Sequence, residues 1–200
     1  ENAQKYFAKY NKQKRTFEAL SELIQETADE IRYLESVSNS LDIALSEADL
    51  GQIKEELTAS GYVRRKFTKK KVKLTNKPMH YISSDGYDIY VGKNNIQNDE
   101  LTFSFANGGD WWFHAKGAPG SHVIVKTNGD ELPDRTFEEA GRLAAYYSKN
   151  RGSDKVEIDY IEKKHVKKPN GAKPGFVVYY TNYSLMAAPD ISDIKEAPRS

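Results

Sequence analysis

The sequence predicts an α+β protein in which a long helical segment is followed by a largely antiparallel sheet with one main packed helix. Three observations carry this. Residues 1–60 hold one glycine and no proline and are rich in good helix formers. From Met79 onward, short apolar runs alternate with turn-forming dipeptides. Within that second part, one segment, residues 135–149, has helical periodicity.

In order along the chain, Phe17, Leu20, Ile24, Ile31, Leu34, Leu41 and Leu45 follow a 3,4 spacing interrupted by the polar Thr27 and Ser38. That is a heptad seam. A continuous helix to residue 45 would reach roughly 65 Å, and alone it is poorly stable, so the seam asks for a partner: upstream chain, a second copy, or the next helix. A short helix is expected from Ser46, with Asp49 completing a weak capping box, Leu50, Ile53 and Leu57 on its apolar face, and Gly61 as its stop. The domain boundaries that follow are a coiled-coil or helical segment over 1–60, a basic linker over 61–77, and the sheet domain over 78–200.

In the sheet domain, Tyr81-Ile82 and Tyr87–Val91 read as a hairpin across Ser84-Asp85-Gly86. Asn94–Phe105 reads as a short helix, Asn107-Gly108-Gly109 as a turn, and Trp111–Ala115 as a strand. Ala118-Pro119-Gly120-Ser121 suits a type II turn, His122–Lys126 a returning strand, and Asn128-Gly129 another turn. Asp134 is expected to cap a helix over Arg135–Lys149, with Phe137, Ala140, Leu143, Ala144 and Tyr147 on one face. Val156–Ile161, Phe176–Tyr180 and Ser184–Ala187 complete the expected strands.

Composition narrows the chemistry. The chain is 38% hydrophobic and 30% charged, and no run approaches the ~18 apolar residues of a membrane helix, so no membrane insertion is expected. It opens on Glu1 with no signal-like segment, and reads as a fragment of a longer protein. Having no cysteine, it has no disulfide, thiolate zinc site or thiol nucleophile. A net charge of +1 hides an asymmetry: −5 over residues 1–60 and +6 over the rest. The basic excess is clustered. Arg64, Arg65, Lys69, Lys70 and Lys71 belong to a run of seven basic residues in ten, which serves equally as a solvated linker or as a phosphate-binding arm. Lys163, Lys164, Lys167 and Lys168 surround His165, with Lys173 following in a Pro/Gly-rich loop.

His114 and His122 would be neighbours across a tight turn, with Asp110 near, yet there is no cysteine, no HExxH motif and no third histidine at useful spacing, and no metal is expected. Ser121 and His122 are adjacent in sequence, the wrong geometry for a nucleophile and its base, and there is no G-x-S-x-G elbow. The glycines match neither a P-loop nor a dinucleotide fingerprint. No catalytic residues and no cofactor are expected. Nucleic-acid binding fits better: loop lysines for phosphates, Trp112, His114 and nearby Tyr87 or Tyr90 for unpaired bases, and Lys93, Asn94, Asn95 and His122 as flanking hydrogen-bonding groups. Against this, strand alternation sends one of Trp111 and Trp112 inward, and the Asn94–Asp99 run serves equally as a helix-entry device.

The motifs Asp85-Gly86-Tyr87, Gly92-Lys93-Asn94-Asn95, Asn98-Asp99, Trp112-Phe113-His114 and Pro119-Gly120-Ser121-His122, with the Lys163–Gly175 loop, resemble the NFACT-R domain of the NFACT, or fibronectin-binding-protein A-like, family. The opening NAQKYFAKYNKQKR resembles the second strand of that family's long antiparallel coil. The resemblance implies an RNA-associated module of a cytoplasmic protein that binds tRNA and stalled large ribosomal subunits, and so ribosomal RNA, in ribosome quality control, with C-terminal alanine tailing by the full-length protein. The family's tRNA-handling motif and helix-hairpin-helix segment are not within these residues. It also implies an alternative: a surface-exposed adhesin of a Gram-positive bacterium binding fibronectin or, through its basic clusters, a polyanionic matrix. A purely structural role, with the coil pairing and the domain packing on its own upstream half, is the third reading.

Overall fold

The computed structural model describes residues 2–64 and 76–198. It has a long helix followed by a seven-stranded antiparallel sheet with helices, the α+β class expected from sequence. Helix α1 runs Asn2–Ile43 and helix α2 runs Glu47–Ala59. Residues 2–35 form one compact unit, and the second begins at Ser36. In the first unit Phe17, Leu20, Ile24 and Ile31 of the heptad seam are exposed. In the second unit the last turns of α1 bury Val37, Ser40 and Ile43, while Leu41 and Leu45 of the expected seam face solvent. Leu41 and Ile43 are two residues apart, about 200° around a helix. The stripe that meets the sheet domain is therefore a different face from the seam.

Ser46 caps α2 as expected: its hydroxyl accepts from the Asp49 N–H at 3.2 Å and donates to the Asp49 carboxylate at 2.8 Å. Ser60 follows α2 and Gly61 takes φ +84°, a left-handed exit that glycine adopts without strain.

The strands are β1 (Met79–Ile82), β2 (Asp88–Val91), β3 (Trp111–Ala115), β4 (Val123–Val125), β5 (Val156–Glu162), β6 (Tyr183–Ala187) and β7 (Lys195–Glu196). They pair antiparallel in the order β6-β5-β3-β4-β2-β1-β7. Between β2 and β3, helix α3 (Asn95–Asp99) continues into a π-helical stretch over Glu100–Phe105. Helix α4 (Asp134–Tyr146) follows β4.

Both faces of the sheet are covered. On one, α4 brings Ala140, Leu143 and Ala144 onto Phe113, Ile89, Val123 and Ile158. On the other, Leu101 and Ala106 of the π-helical region and Val166, Val177 and Tyr179 of the segment after β5 pack on Trp112, Ile124 and Ile161. The alternation of Trp111, Trp112 and Phe113 thus fills two cores in turn. Burying a side chain such as Phe113 stabilises the fold by roughly 1.5–3 kcal/mol.

Three local expectations give way, and one strand was not expected. Gly120 is not left-handed, so no type II turn forms over 118–121; the turn is made at Lys116-Gly117, with Gly117 at φ +64°. Gly120 is glycine because of close approach: it bridges Ser148, and an added Cβ would sit 3.2 Å from the Ser148 Cβ. The cap of α4 is Pro133, whose carbonyl accepts from the Thr136 and Phe137 N–H groups, and Asp134 is the first helical residue, where its carboxylate suits the helix dipole. Residues 176–180 form no strand, only a single bridge of Val178 to Lys167. Strand β7, two residues long, has too little pattern to be read from sequence.

Candidate nucleic-acid interface

The Asn94–Asp99 run is a joint, not a surface. Asn94 caps α3 by accepting the Gln97 N–H at 3.0 Å. Its amide, like that of Gln97, donates to Gln52 Oε1 of α2 at 2.8 Å. Asn95 Nδ2 donates at 2.8 Å to both Glu56 Oε1 and Ser36 Oγ. Asn98 Oδ1 accepts the His122 N–H at 2.9 Å, and Asp99 Oδ1 accepts the Gly175 N–H at 3.1 Å. Asn94, Asn95, Gln97 and Asn98 are buried, as are Gln52 and Glu56, and Asp99 is half-buried. Amide side chains carry both donors and acceptors, so they can close such a network without leaving a buried group unsatisfied.

Lys93 is drawn into the same joint. Its Nζ lies 3.2 Å from Asp49 Oδ1 and 3.1 Å from Asn76 Oδ1. Burial raises the pKa of Asp49, but hydrogen bonds from Asn76, Ser46, the Leu45 N–H and Lys93 outweigh it and bring the value down to about 2.

Trp112, His114 and His122 cluster in the second core, with ring centroids 5.2–5.5 Å apart. Trp112 and His122 are buried, and His122 Nδ1 is 2.8 Å from Thr102 Oγ1. Burial lowers the His114 pKa to about 4 against the opposing effect of Asp159 and the surrounding backbone. Burial, then His114, pushes His122 well below the ordinary value. Two neutral imidazoles contribute no charge toward phosphate, and Trp112 has no open face on which a base could stack. Asp110 is elsewhere: it accepts the N–H groups of Asn107 and Thr127 and pairs with Lys126. Among the described residues no three His, Cys, Asp or Glu side chains could hold a metal ion. His122 makes its side-chain bond to Thr102, while Ser121 Oγ has no hydrogen-bond partner among them.

The lysine loop has the opposite character. Its backbone is fixed: the Lys163 N–H donates to Asp110 O at 2.8 Å, Lys164 N–H to Gly108 O at 3.0 Å, and Lys167 and Val178 exchange two bonds at 2.8 and 2.9 Å. Val166 is buried as its anchor. The side chains of Lys164, His165, Lys167 and Lys173 are on the surface and that of Lys163 is half-buried, lying over the Phe103 ring. Lys164 pairs with Glu162, and Lys168 with Asp99. Among the described residues no carboxylate pairs with Lys163 or Lys167. Lys173 Nζ lies 3.2 Å from Tyr62 Oη, and Tyr62 is two residues before the exposed Arg64, so the loop meets the start of the basic run. The rest of that run in the expected set, Arg65, Lys69, Lys70 and Lys71, lies outside the described residues.

Of the sequence-expected set, therefore, Lys164, Lys167, Lys168, Lys173 and Arg64 are exposed and Lys163 is half-buried, while Lys93, Asn94, Asn95, Trp112, His114 and His122 are tied inside. Sequence reading did not single out the exposed aromatics downstream of the loop, Phe176, Tyr180 and Tyr183; their position right after a lysine cluster was the available signal.

A family model described as the NFACT N-terminal and middle domains matches residues 1–76, and one described as the NFACT protein RNA binding domain matches residues 77–180. The chain is 47% identical over 196 residues to the Rqc2 homolog RqcH of Streptococcus suis (strain 05ZYH33), covering 98% of this chain and 35% of that protein. It is 41% identical over 203 residues to the Rqc2 homolog RqcH of Bacillus subtilis (strain 168), covering 100% of this chain and 35% of that protein. The chain thus spans about a third of the length of these curated relatives. Its fold is similar, with a TM-score of 0.85 and 46% identity, to the C-terminal part of the fibronectin/fibrinogen-binding protein from Streptococcus suis, covering 94% of this chain and 75% of that one.

Proposed function

The chain belongs to the NFACT family, and from that premise we propose that its sheet domain is the RNA-contacting part of a cytoplasmic ribosome quality-control protein, engaging tRNA and the RNA of stalled large ribosomal subunits. The observation that carries this reading is the lysine loop: a backbone pinned at Lys163, Lys164 and Lys167 holds basic side chains on the surface, where phosphates supply sequence-independent affinity. Such a surface performs docking. No arrangement of nucleophile, base and oxyanion donors is proposed, and alanine tailing is assigned to the full-length protein. Among the described residues no helix is long and apolar enough to cross a membrane.

The test is tRNA binding by the whole chain across a salt series, with Lys163, Lys164 and Lys167 reversed to glutamate. Lys168 is left in place because Asp99, its partner, also anchors Gly175. Losing three phosphate contacts is expected to flatten the slope of log affinity against log salt by roughly 2. Unchanged affinity and slope would exclude the loop.

A second reading, adhesion, draws on the binding activity in the name of the similar streptococcal structure. Strand β6 ends the sheet, and among the described residues no strand pairs with its outer side, so a partner could add a strand there. Fibronectin binding that saturates, resists moderate salt and ignores the lysine reversal would favour this reading; binding that falls with salt and with the reversal would mark a polyanion contact. The seam of α1 is proposed to pair with an upstream segment or a second copy, which sedimentation of the chain with and without that segment distinguishes.

A further inference from the structure

We propose that the turn Tyr180–Tyr183 is a stacking platform for unpaired nucleobases of the RNA whose phosphates the lysine loop holds; the inference rests on the RNA reading above and adds to it the strandedness of the ligand. Tyr180 is 74% exposed and Tyr183 60% exposed, unusual for rings of this size. They are presented by a turn under backbone strain. Thr181 takes φ +55°, a conformation that a β-branched residue rarely adopts and that tends to persist at ligand-contacting sites. The turn is braced locally: Thr181 Oγ1 donates to the Tyr180 carbonyl at 2.6 Å, and Asn182 Nδ2 donates to the Tyr183 carbonyl at 3.1 Å.

Tyr183 is rigidly backed. Its ring stacks on Tyr160, with centroids 5.5 Å apart and planes 27° from parallel. Tyr160 in turn packs against Phe137 of α4 and against Trp111. A ring held from behind and exposed in front loses little freedom on binding, as a base-stacking platform requires. Position supplies the second argument. Tyr160 and Tyr183 are directly paired across β5 and β6, Glu162 two residues on from Tyr160 lies on the same face and holds Lys164, and Val178, two residues before Tyr180, is bridged to Lys167. Bases of a strand whose backbone follows Lys164 and Lys167 are thereby brought to the tyrosines. In a duplex the bases are stacked on one another and offer no face, so the platform selects single strands, loops or ends.

The test uses the whole chain and two probes: a fluorescent single-stranded RNA containing 2-aminopurine, and a blunt RNA duplex of equal charge. Tyr180→Ala/Tyr183→Ala is expected to weaken single-strand binding roughly 5- to 150-fold per ring, to abolish the 2-aminopurine quench, and to leave duplex binding unchanged. Tyr183→Phe keeps the ring and should bind as the unsubstituted chain does. If the double variant fails to fold, Tyr180→Ala alone gives the same readout from a ring with most of its surface in solvent. Equal losses for both probes, or none for either, overturn the platform. If the tyrosine variants bind normally while the lysine reversal abolishes binding, the platform fails and the RNA reading stands. If the unsubstituted chain binds neither probe, both fail.

Discussion

The Asn94–Asp99 run and the Lys163–Gly175 loop are both strongly polar stretches, yet one is a buried joint and the other a surface. Asparagine and glutamine hold donors and acceptors on one group, so Asn94, Asn95 and Gln97 are satisfied by Gln52, Glu56 and one another. Lysine offers only donors and a charge, and burial demands a carboxylate for each. Asp99 is available to Lys168, but Lys163 and Lys167 have no such partner among the described residues, and the loop keeps its charge in water. Polarity alone does not locate a site; what the polar groups can pair with does.

That contrast can be broken in several ways. The largest expected effect is on the joint. Asn95→Leu removes the donor shared by Glu56 and Ser36 from a buried position, and should cost about 3 kcal/mol in a urea unfolding experiment while RNA affinity of the folded chain stays within twofold. If affinity fell in parallel, the joint would also be a contact surface. Next is the lysine reversal at 163, 164 and 167, for which a 10- to 100-fold loss of tRNA affinity is expected with a stability change under about 0.5 kcal/mol. A stability loss like that of Asn95→Leu would show the loop to be structural.

Acid separates the regions further. The fold holds His114 neutral, with a pKa of about 4 against 6.5 for an unburied histidine. Below pH 6.5 the unfolded chain therefore binds a proton that the folded chain does not, and stability declines by up to about 1.4 kcal/mol per pH unit until pH 4. His122, lowered in the same sense, steepens the fall. Asp49 acts later: stability from its carboxylate is full above pH 3.8 and is lost as pH drops through about 2, worth about 2 kcal/mol. Denaturant midpoints that stay flat from pH 6.5 to 5 would contradict the buried imidazoles. The smallest effect belongs to the surface pair of Lys164 and Glu162. Glu162→Gln should change stability by a few tenths of a kcal/mol and raise RNA affinity less than about threefold, read by the same titrations.

The sequence of elements was legible where a local rule suffices: Ser46 as a cap, Trp111–Ala115 as a strand, and Ala140, Leu143 and Ala144 as a buried helical stripe with Phe137 partly buried beside it. It was less legible where contacts over long separations decide. Gly120 suggested a turn through its pairing with Pro119, but its role is set by Ser148, 28 residues away. Trp112 was suggested as a stacking surface because alternation gives one inward and one outward position only when one face of the sheet is bare. Here both faces are covered, so Trp112 faces the second core and Trp111 the first.

By itself, the sequence determined that helix precedes sheet, where the chain turns, and that the positive charge gathers in two clusters, because propensity, capping and charge act over a few residues. Only the tertiary structure decided which polar and aromatic side chains reach the surface. Gln52 finds Asn94 42 residues on, and Tyr160 backs Tyr183 from the neighbouring strand. Whether a polar group is buried or a ring exposed depends on partners distant in sequence, and no local pattern encodes them.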